Sequence, residues 1–462
     1  MKKKKRDLIK NFHLKINENN THLPTNFNNQ SNDINTNSWF DIKKYNALNN
    51  NNHSNRIKIN TKFKKKKIIK CVKIKMLLNK EQKEIIHKWF DAYTKMYNEA
   101  LKYIRSKYIY TKNDITRDIL VSNLDTIKQM NNFIKIRNEL KDIKNTIMLE
   151  SQLENTTKNT KIQSHNLDYA IRQLCSNIES AKTNLIRNNI KKFRIKFWRN
   201  NRISKTLEIE QVYIRKDNLC PKILGDIDYY YNGILSELCN IDSNVKINYN
   251  KISDEYILLV PEKMNNKPII NINNKIVSLD PGLRTFMSGV SENSYIKIGN
   301  NVNSIISKPL QRLNNIKNNE NISSKIKKKN EILINRKIKN KIDDLHWKTI
   351  NYLVKNYKTI LLGDMSAKSI VSRNKNIINN IQKVACLRTK YYEFCQRLKF
   401  KCELNDVNFS MINEAYTSKT CSNCGYYKDN LGSASVYNCN KCHLNIDRDI
   451  NGARNIYIKS LI

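Results

Sequence analysis

Four cysteines near the C-terminus are placed for metal chemistry: Cys421-x-x-Cys424 and Cys439-x-x-Cys442, with 14 residues between the pairs and Gly425 directly after the first. Two such knuckles can supply four thiolates to a tetrahedral Zn2+ at about 2.3 Å, and a site closed in this way folds a module without hydrolysing anything itself. His443 adjoins Cys442, but a fifth ligand is not needed. The seven remaining cysteines stand alone and the total of eleven is odd, a usage that fits an intracellular metal protein and not a disulfide framework.

A second set of reactive groups is acidic. Lys275 to Leu279 reads as a buried strand ending in Asp280-Pro281-Gly282, and Thr359 to Leu362 as another ending in Gly363-Asp364. Asp447-Arg448-Asp449 opens a C-terminal helix whose apolar positions are Ala453, Ile456 and Tyr457. Singly, an Asp before Pro-Gly is a turn residue and an Asp at a helix start is an N-cap. Brought together by strands that alternate with helices, such acids can hold two divalent cations about 3.5–4 Å apart for phosphodiester hydrolysis. Mg2+ suits hard oxygen ligands of this kind.

The elements that must position these groups are unevenly distributed along the 462 residues. None of the nine glycines precedes Gly225 and seven lie from Gly282 onward, so tight turns and close backbone approaches concentrate in the C-terminal half. The first 60 residues hold 17 Asn with no sustained hydrophobic period, and residues 1–66 are expected to be a disordered arm carrying the basic runs Lys2 to Arg6 and Lys62 to Lys67. A strand is expected at Ile68 to Met76. A helix follows, with Ile86, Trp89, Phe90, Tyr93, Met96, Tyr97, Ala100, Leu101 and Ile104 at three- and four-residue spacing. Further helices run to Asn189, then strands at Thr206 to Tyr213, Val245 to Asn250 and Tyr256 to Val260.

Charge defines the partner. The 84 Lys and Arg outnumber 41 Asp and Glu, giving +43, an excess that raises self-repulsion unless a polyanion lies alongside. Lys192, Arg194, Lys196 and Arg199 alternate with Phe193, Ile195 and Phe197; a half-buried strand would look the same, but the net charge favours a groove along a nucleic-acid backbone, with these four as its binding residues. No apolar stretch is long enough to span a membrane, and the N-terminus has no apolar signal core, so neither a membrane nor a secreted protein is expected.

The segments Ser278-Leu-Asp-Pro-Gly282, Tyr416-Thr-Ser-Lys-Thr-Cys-Ser-Asn-Cys-Gly425 and Asp447-Arg-Asp-Ile-Asn-Gly-Ala-Arg-Asn-Ile456, in that order, resemble the transposon-encoded TnpB proteins. Their eukaryotic and viral relatives, the Fanzor proteins, and the type V CRISPR effectors share the plan. The resemblance covers about residues 68–462 and implies a multidomain α+β and α/β chain. A β-barrel wedge domain (67–82 and 200–265) would carry an inserted helical recognition domain (83–199). An RNase H-like RuvC nuclease (266–413 and 446–462) would be interrupted by a zinc ribbon with a leading Glu segment (414–445). The implied activity is RNA-guided, metal-dependent endonucleolytic cleavage of double-stranded DNA by a monomeric ribonucleoprotein holding structural Zn2+ and catalytic Mg2+. It would act in the nucleus of a eukaryotic host and otherwise in the cytoplasm.

By position, Asp280 matches the first catalytic acid of that family and Asp449 the last, with Asp447 the alternate. The second acid departs from the pattern. TnpB proteins carry Glu-Asp after the second strand, where this chain has Gly363-Asp364, while Glu414 stands where they have Pro and where Fanzor proteins have a relocated Glu. Glu414 therefore takes the second role, with Asp364 the fallback. Two rival readings remain: a non-cleaving nucleic-acid-binding or repressor relative, and a transposition accessory protein that binds DNA without a guide RNA.

Overall fold

A computed structural model describes residues 30–32, 39–45, 68–108, 131–154, 156–190, 193, 195–215, 218–230, 243–264, 275–292, 294–365, 380–432 and 434–461. Two short strands come first, β1 (Gln30–Asn32) and β2 (Phe40–Tyr45). Then follow β3 (Ile68–Leu77), α1 (Lys80–Tyr108), α2 (Phe133–Glu139), α3 (Lys141–Glu150), α4 (Ser164–Ile186) and β4 (Ser204–Ile209). The pair β5 (Ile214–Arg215) and β6 (Asn218–Leu219) leads through α5 (Pro221–Leu224) to β7 (Asp228–Tyr230), β8 (Val245–Asn250) and β9 (Glu255–Met264). The remainder holds β10 (Ile276–Pro281), β11 (Thr285–Ser291), β12 (Ser294–Asn300), α6 (Val302–Asn318), α7 (Ser324–Asn356) and β13 (Thr359–Gly363). It closes with α8 (Asn380–Arg388), α9 (Tyr391–Asn405), β14 (Asn408–Ile412), β15 (Val436–Asn438), β16 (Asn445–Asp447) and α10 (Arg448–Ser460).

These elements divide into two units, residues 69–264 and residues 1–68 with 265–462. In the first, α1 buries the periodic residues read from the sequence, from Ile86 through Ile104. They join Leu167, Ile171 and Leu174 of α4 and Leu207, Ile247 and Val260 of the sheet in a single hydrophobic cluster. The sheet runs in the order β4-β8-β9-β3-β7 and is open, not the closed barrel expected: β4 and β7 are edges that do not meet. Its strands carry one buried face, alternating buried and half-exposed residues along β8.

Residues 195–200, part of the stretch read from the sequence as a basic groove, lie along α1, where Asn98 takes both backbone bonds of Trp198, accepting from its N–H at 2.8 Å and donating to its carbonyl at 2.9 Å. The Trp198 ring stacks on Tyr97 at 3.7 Å, with the Arg202 guanidinium 3.9 Å from the ring centroid. Aromatic stacking and a satisfied backbone thus replace a ladder.

In the second unit seven strands lie in the order β1-β2-β12-β11-β10-β13-β14. β10, β11 and β12 form an antiparallel meander, and β10, β13 and β14 run parallel, joined by helical crossovers. Part of the stretch expected as a disordered arm therefore pairs into this sheet: Phe40 and Ile42 of β2 stand opposite Ile298 and Ile296 of β12. Alternation over six residues inside an Asn-rich region is too short to be read from sequence. Helices cover both faces of the sheet. Val277 and Leu279 of β10 and Ile360 and Leu362 of β13 pack against α6, α7 and α9, while Leu361 and Val290 face α10. Among the described residues no helix is long and apolar enough to cross a membrane.

His346 on α7 lies wholly inside this layer, between Phe286 and Phe394, whose rings lie 5.4 and 5.2 Å away. Its Nε2 donates to the Thr389 carbonyl at 2.9 Å, and Nδ1 accepts from Arg397 at 3.2 Å, the neutral tautomer. Burial is the main cause that lowers its pKa to about 4 from 6.5, with Arg397 adding to it. The unfolded chain therefore binds the proton more readily. The stability this His contributes is complete above pH 6.5 and is lost as pH falls towards 4, a change of about 3 kcal/mol. Urea unfolding at pH 7 and pH 4 should show that loss in the wild type and a correspondingly smaller one in His346→Gln.

Candidate active site and metal centre

Parallel pairing sets Leu279 beside Leu362 and Gly363 beside Ile412, so the carboxyl ends of β10, β13 and β14 emerge together. Crevices at such strand ends are where open α/β sheets bind ligands. Alternation along β10 sends Val277 and Leu279 to one face and Ser278 and Asp280 to the other, towards α10. There Gly452 lies so close that a Cβ would stand 2.4 Å from Asp280 Oδ2. Only glycine lets the helix approach the carboxylate in this way.

A cleft of about 290 Å3 opens at this point, lined by Asp280, Glu414 and Asp449 together with Arg284, Arg448 and Ser418. Desolvation raises the pKa of Asp280 well above the carboxylate range, and Asp449 and Glu414 raise it further against the pull of Arg448. Burial and Asp364 push Glu414 up to about 7, with Lys459 opposing. Burial and then Asp447 raise Asp449, countered by Lys297, Arg448 and Arg284. Three half-buried carboxylates that resist ionising beside one another line this cleft, and carboxylate oxygens are donors of the kind a hard divalent cation such as Mg2+ takes. Among the described residues only the four cysteines bring three or more ligand atoms within 4.8 Å of one another.

The fallback acids are occupied otherwise and do not line the cleft. Asp364 Oδ1 accepts the backbone N–H of Glu414 at 2.9 Å, and its own N–H donates to the Ile412 carbonyl. Asp447 is the N-cap of α10, accepting from the N–H of Asp449 and of Ile450 at 3.0 and 3.1 Å, while its other oxygen takes Lys297 Nζ at 2.7 Å. Glu414 is held from several sides. Lys459 donates to the carbonyls of Asn413 and Ala415 at 2.8 and 2.7 Å, and the Thr417 hydroxyl donates to the Glu414 carbonyl at 2.8 Å.

The cysteines converge as their spacing requires: all four sulfurs lie within 4.8 Å of one another. Cys421 and Cys442 are 3.6 Å apart and Cys424 and Cys439 3.5 Å, near the ~3.8 Å edge of a tetrahedron with 2.3 Å metal–sulfur bonds. They are too far apart for disulfides. Both knuckles repeat one turn. Gly425 and His443, each following the second Cys, are left-handed at φ 72° and 55° and return N–H bonds to the carbonyls of Cys421 and Cys439. His443 is thus a turn residue. The N–H groups of Lys441 and Cys442 point at Cys439 Sγ, at 3.4 and 3.5 Å, as thiolates require. The donor set fits Zn2+.

Several positions escaped the sequence reading. Asn451 and Asn455 are wholly buried on α10 and bond the segment that joins Glu414 to the first knuckle. Asn451 donates to the Thr420 carbonyl and accepts from the Ser422 N–H; Asn455 donates to the carbonyls of Thr417 and Thr420. Their signal was two asparagines four residues apart on the apolar face of a helix. Arg284 and Arg448 at the cleft were hidden by the general excess of basic residues. Of the four basic residues proposed for nucleic acid, Lys196 and Arg199 are exposed. Lys192 and Arg194 lie outside the described residues.

Comparison with known proteins follows the same geography. Residues 391–456, from α9 through the ribbon into α10, match the family described as Cas12f1-like, TNB domain. Residues 68–112 match one described as helix-turn-helix domain, although the described part of that stretch is one strand and one helix. Two TnpB-like proteins of Acanthamoeba polyphaga mimivirus are each 31% identical over 451 residues, 92% of this chain and 83% and 82% of theirs. Among solved structures, the chain is similar to a Cas12f1–sgRNA–target DNA complex determined by cryo-EM, at 14% identity and TM-score 0.44, over 82% of this chain and 83% of that one.

Two outcomes are expected. Purified protein should carry about one zinc per chain, and Cys424→Ser should lose both the metal and protection of the ribbon against proteolysis, since metal binding in such modules is folding energy; elemental analysis and limited proteolysis read these. The Glu414 N–H should exchange with deuterium faster in Asp364→Ala, but remain protected in Asp364→Asn, whose amide oxygen still accepts it.

Proposed function

The chain belongs to the TnpB-like family, and on that premise we propose that it is an RNA-guided, divalent-metal-dependent DNA endonuclease. The observation that carries the catalytic half of this reading is the convergence of Asp280, Glu414 and Asp449 on one cleft. Mg2+ held by these carboxylates would supply the charge that activates water and stabilises the leaving oxygen of a phosphodiester. The chain's own groups do the rest. Asp280 and Asp449 are presented by β10 and the first turn of α10, Glu414 by a turn tied to Asp364 and Lys459, and Arg284 and Arg448 orient a phosphate at the cleft.

The guide-RNA half rests on family membership and on +43, a charge suited to holding a scaffold and a heteroduplex through their phosphates. Asp280, Glu414 and Asp449 act as the catalytic metal ligands in this reading, the parallel strands and α10 form an RuvC-like core, and Cys421, Cys424, Cys439 and Cys442 hold a structural zinc. A non-cleaving relative would have no use for three half-buried acids around one cleft. An accessory protein would have no use for bound RNA.

Sequencing RNA that copurifies with the protein, then reprogramming its guide segment, tests the reading: cleavage should follow the new guide. Asp280→Ala, Glu414→Ala and Asp449→Ala should each lower Mg2+-dependent cleavage at least ~10^3-fold, the scale on which charge stabilisation in a site acts, with RNA and target binding within about twofold. Asp364→Asn should keep most activity. A Glu414→Ala protein that cuts normally beside an inactive Asp364→Asn would reverse the assignment of the second acid.

A further inference from the structure

The three acids of the cleft come from distant parts of the chain, yet one helix meets the support of each. On α10, Asp449, Gly452 and Asn455 follow at three-residue intervals, so they step round one side of the helix about 60° apart. Asp449 lines the cleft itself, and Gly452, in the middle, stands against Asp280. Asn455 is wholly buried and reaches the turn that follows Glu414: its Nδ2 donates to the carbonyls of Thr417 and Thr420 at 2.8 and 2.7 Å. Both partners are carbonyls, which only accept, so the amide has to present its NH2 to them. Thr417 is buried as well, and it returns two bonds to the Glu414 carbonyl, from its hydroxyl at 2.8 Å and from its N–H at 3.2 Å. An unbroken run of bonds therefore leads from α10 through Thr417 to Glu414. The same turn, Thr417–Lys419, supplies Ser418 to the lining of the cleft.

We propose that Asn455 and Thr417 are positioning residues, a strut that keeps Glu414 in register with Asp280 and Asp449. The inference rests on the reading of this cleft as a nuclease site. Glu414 needs such a strut because it lies two residues beyond Ile412, the last residue of β14 that pairs with β13, where the ladder no longer fixes the chain. Its two backbone groups are held instead from opposite sides, the N–H by Asp364 and the carbonyl by Thr417. Between Glu414 and Thr417, Tyr416 is left-handed at φ 71°, a conformation that a bulky residue keeps only where its surroundings impose it. Without the Asn455 amide, the carbonyls of Thr417 and Thr420 would lose its bonds in a buried place, a cost the turn can reduce only by moving towards water. Glu414 would move with it.

The test uses the full chain with its copurified RNA. Asn455→Leu keeps the bulk and removes the donor, Thr417→Val removes only the hydroxyl, and Thr417→Ser restores it. Cleavage is followed across Mg2+ concentrations, beside zinc content and target binding. Asn455→Leu should cleave about 10^2-fold more slowly, the scale of a ~1 Å displacement at a reacting centre, and should need more Mg2+ for half-maximal cleavage, with zinc and binding unchanged. Thr417→Val should shift both in the same direction by less, and Thr417→Ser should match the wild type. Because the two residues act in series, the double variant Asn455→Leu/Thr417→Val should lose little beyond Asn455→Leu alone. A role confined to folding would instead lower the active fraction, scaling cleavage down equally at every Mg2+ concentration. Amide exchange reads the strut without metal or substrate: the Thr417 N–H should exchange faster in Asn455→Leu, while the Ile450 N–H, bonded to Asp447, keeps its rate. An unchanged Mg2+ requirement in Asn455→Leu would overturn the proposal; if that variant does not fold, so would a Thr417→Val protein indistinguishable from Thr417→Ser. Variants that match a cleaving wild type sink this proposal alone, whereas a wild type that cleaves nothing removes the proposed function and the strut's role with it.

Discussion

Burying like charges side by side is the constraint on which the rest of the nuclease unit depends. Asp280 is partly desolvated with Asp449 and Glu414 nearby, and each raises the cost of ionising it. Left to themselves, such groups separate or hold their protons. They stay together because each is fixed by something that cannot relax cheaply: Asp280 by its place in a paired strand, Asp449 by the capped first turn of α10, and Glu414 by backbone bonds to Asp364 and Thr417, with Lys459 bonded to the carbonyls of its neighbours Asn413 and Ala415. Pre-organisation of this kind stores electrostatic strain that a bound cation, as in the proposed function, would relieve.

The four-cysteine module belongs to the same economy of position. It stands outside the cleft chemistry, yet the segment from Thr417 to Ser422 that enters its first knuckle is bonded by Asn451 and Asn455 of α10. That helix also places Asp449 and packs Gly452 on Asp280. Arg448 reaches back to the carbonyl of Gly432 in the ribbon loop at 3.0 Å. A closed four-thiolate site thus makes one rigid end of the turn that presents Glu414, while α10 makes the other.

The sequence was most legible where spacing itself is the chemistry. Two CxxC pairs with a following Gly specify a knuckle turn whether or not the rest of the chain is known. Strands ending in Asp280 and Asp364 were legible as elements, but not which acid would enter the cleft. That choice turns on Asp364 meeting the Glu414 N–H, a contact across 50 residues that no local pattern encodes. The helix of α1 was read correctly because its nine apolar positions keep one period. At 192–199 the pattern showed a basic run but not that Trp198 would stack on Tyr97 and be bonded by Asn98, contacts across about 100 residues. The open sheet in place of a barrel has a similar origin, because whether edge strands meet depends on twist and register and not on the pattern within any strand.

A strongly basic chain with an acidic centre poses an apparent contradiction, which screening resolves. At physiological ionic strength charges separated by more than about 8 Å are largely independent in water. The excess of +43 therefore acts at exposed surfaces, where it suits a polyanion. In the proposed function the carboxylates act only within the cleft, where they would repel a phosphate unless a cation lay between them. Affinity and chemistry are consequently written in different residues, so the acids can change without loosening the grip on nucleic acid, and the basic surface can change without altering the geometry around Asp280.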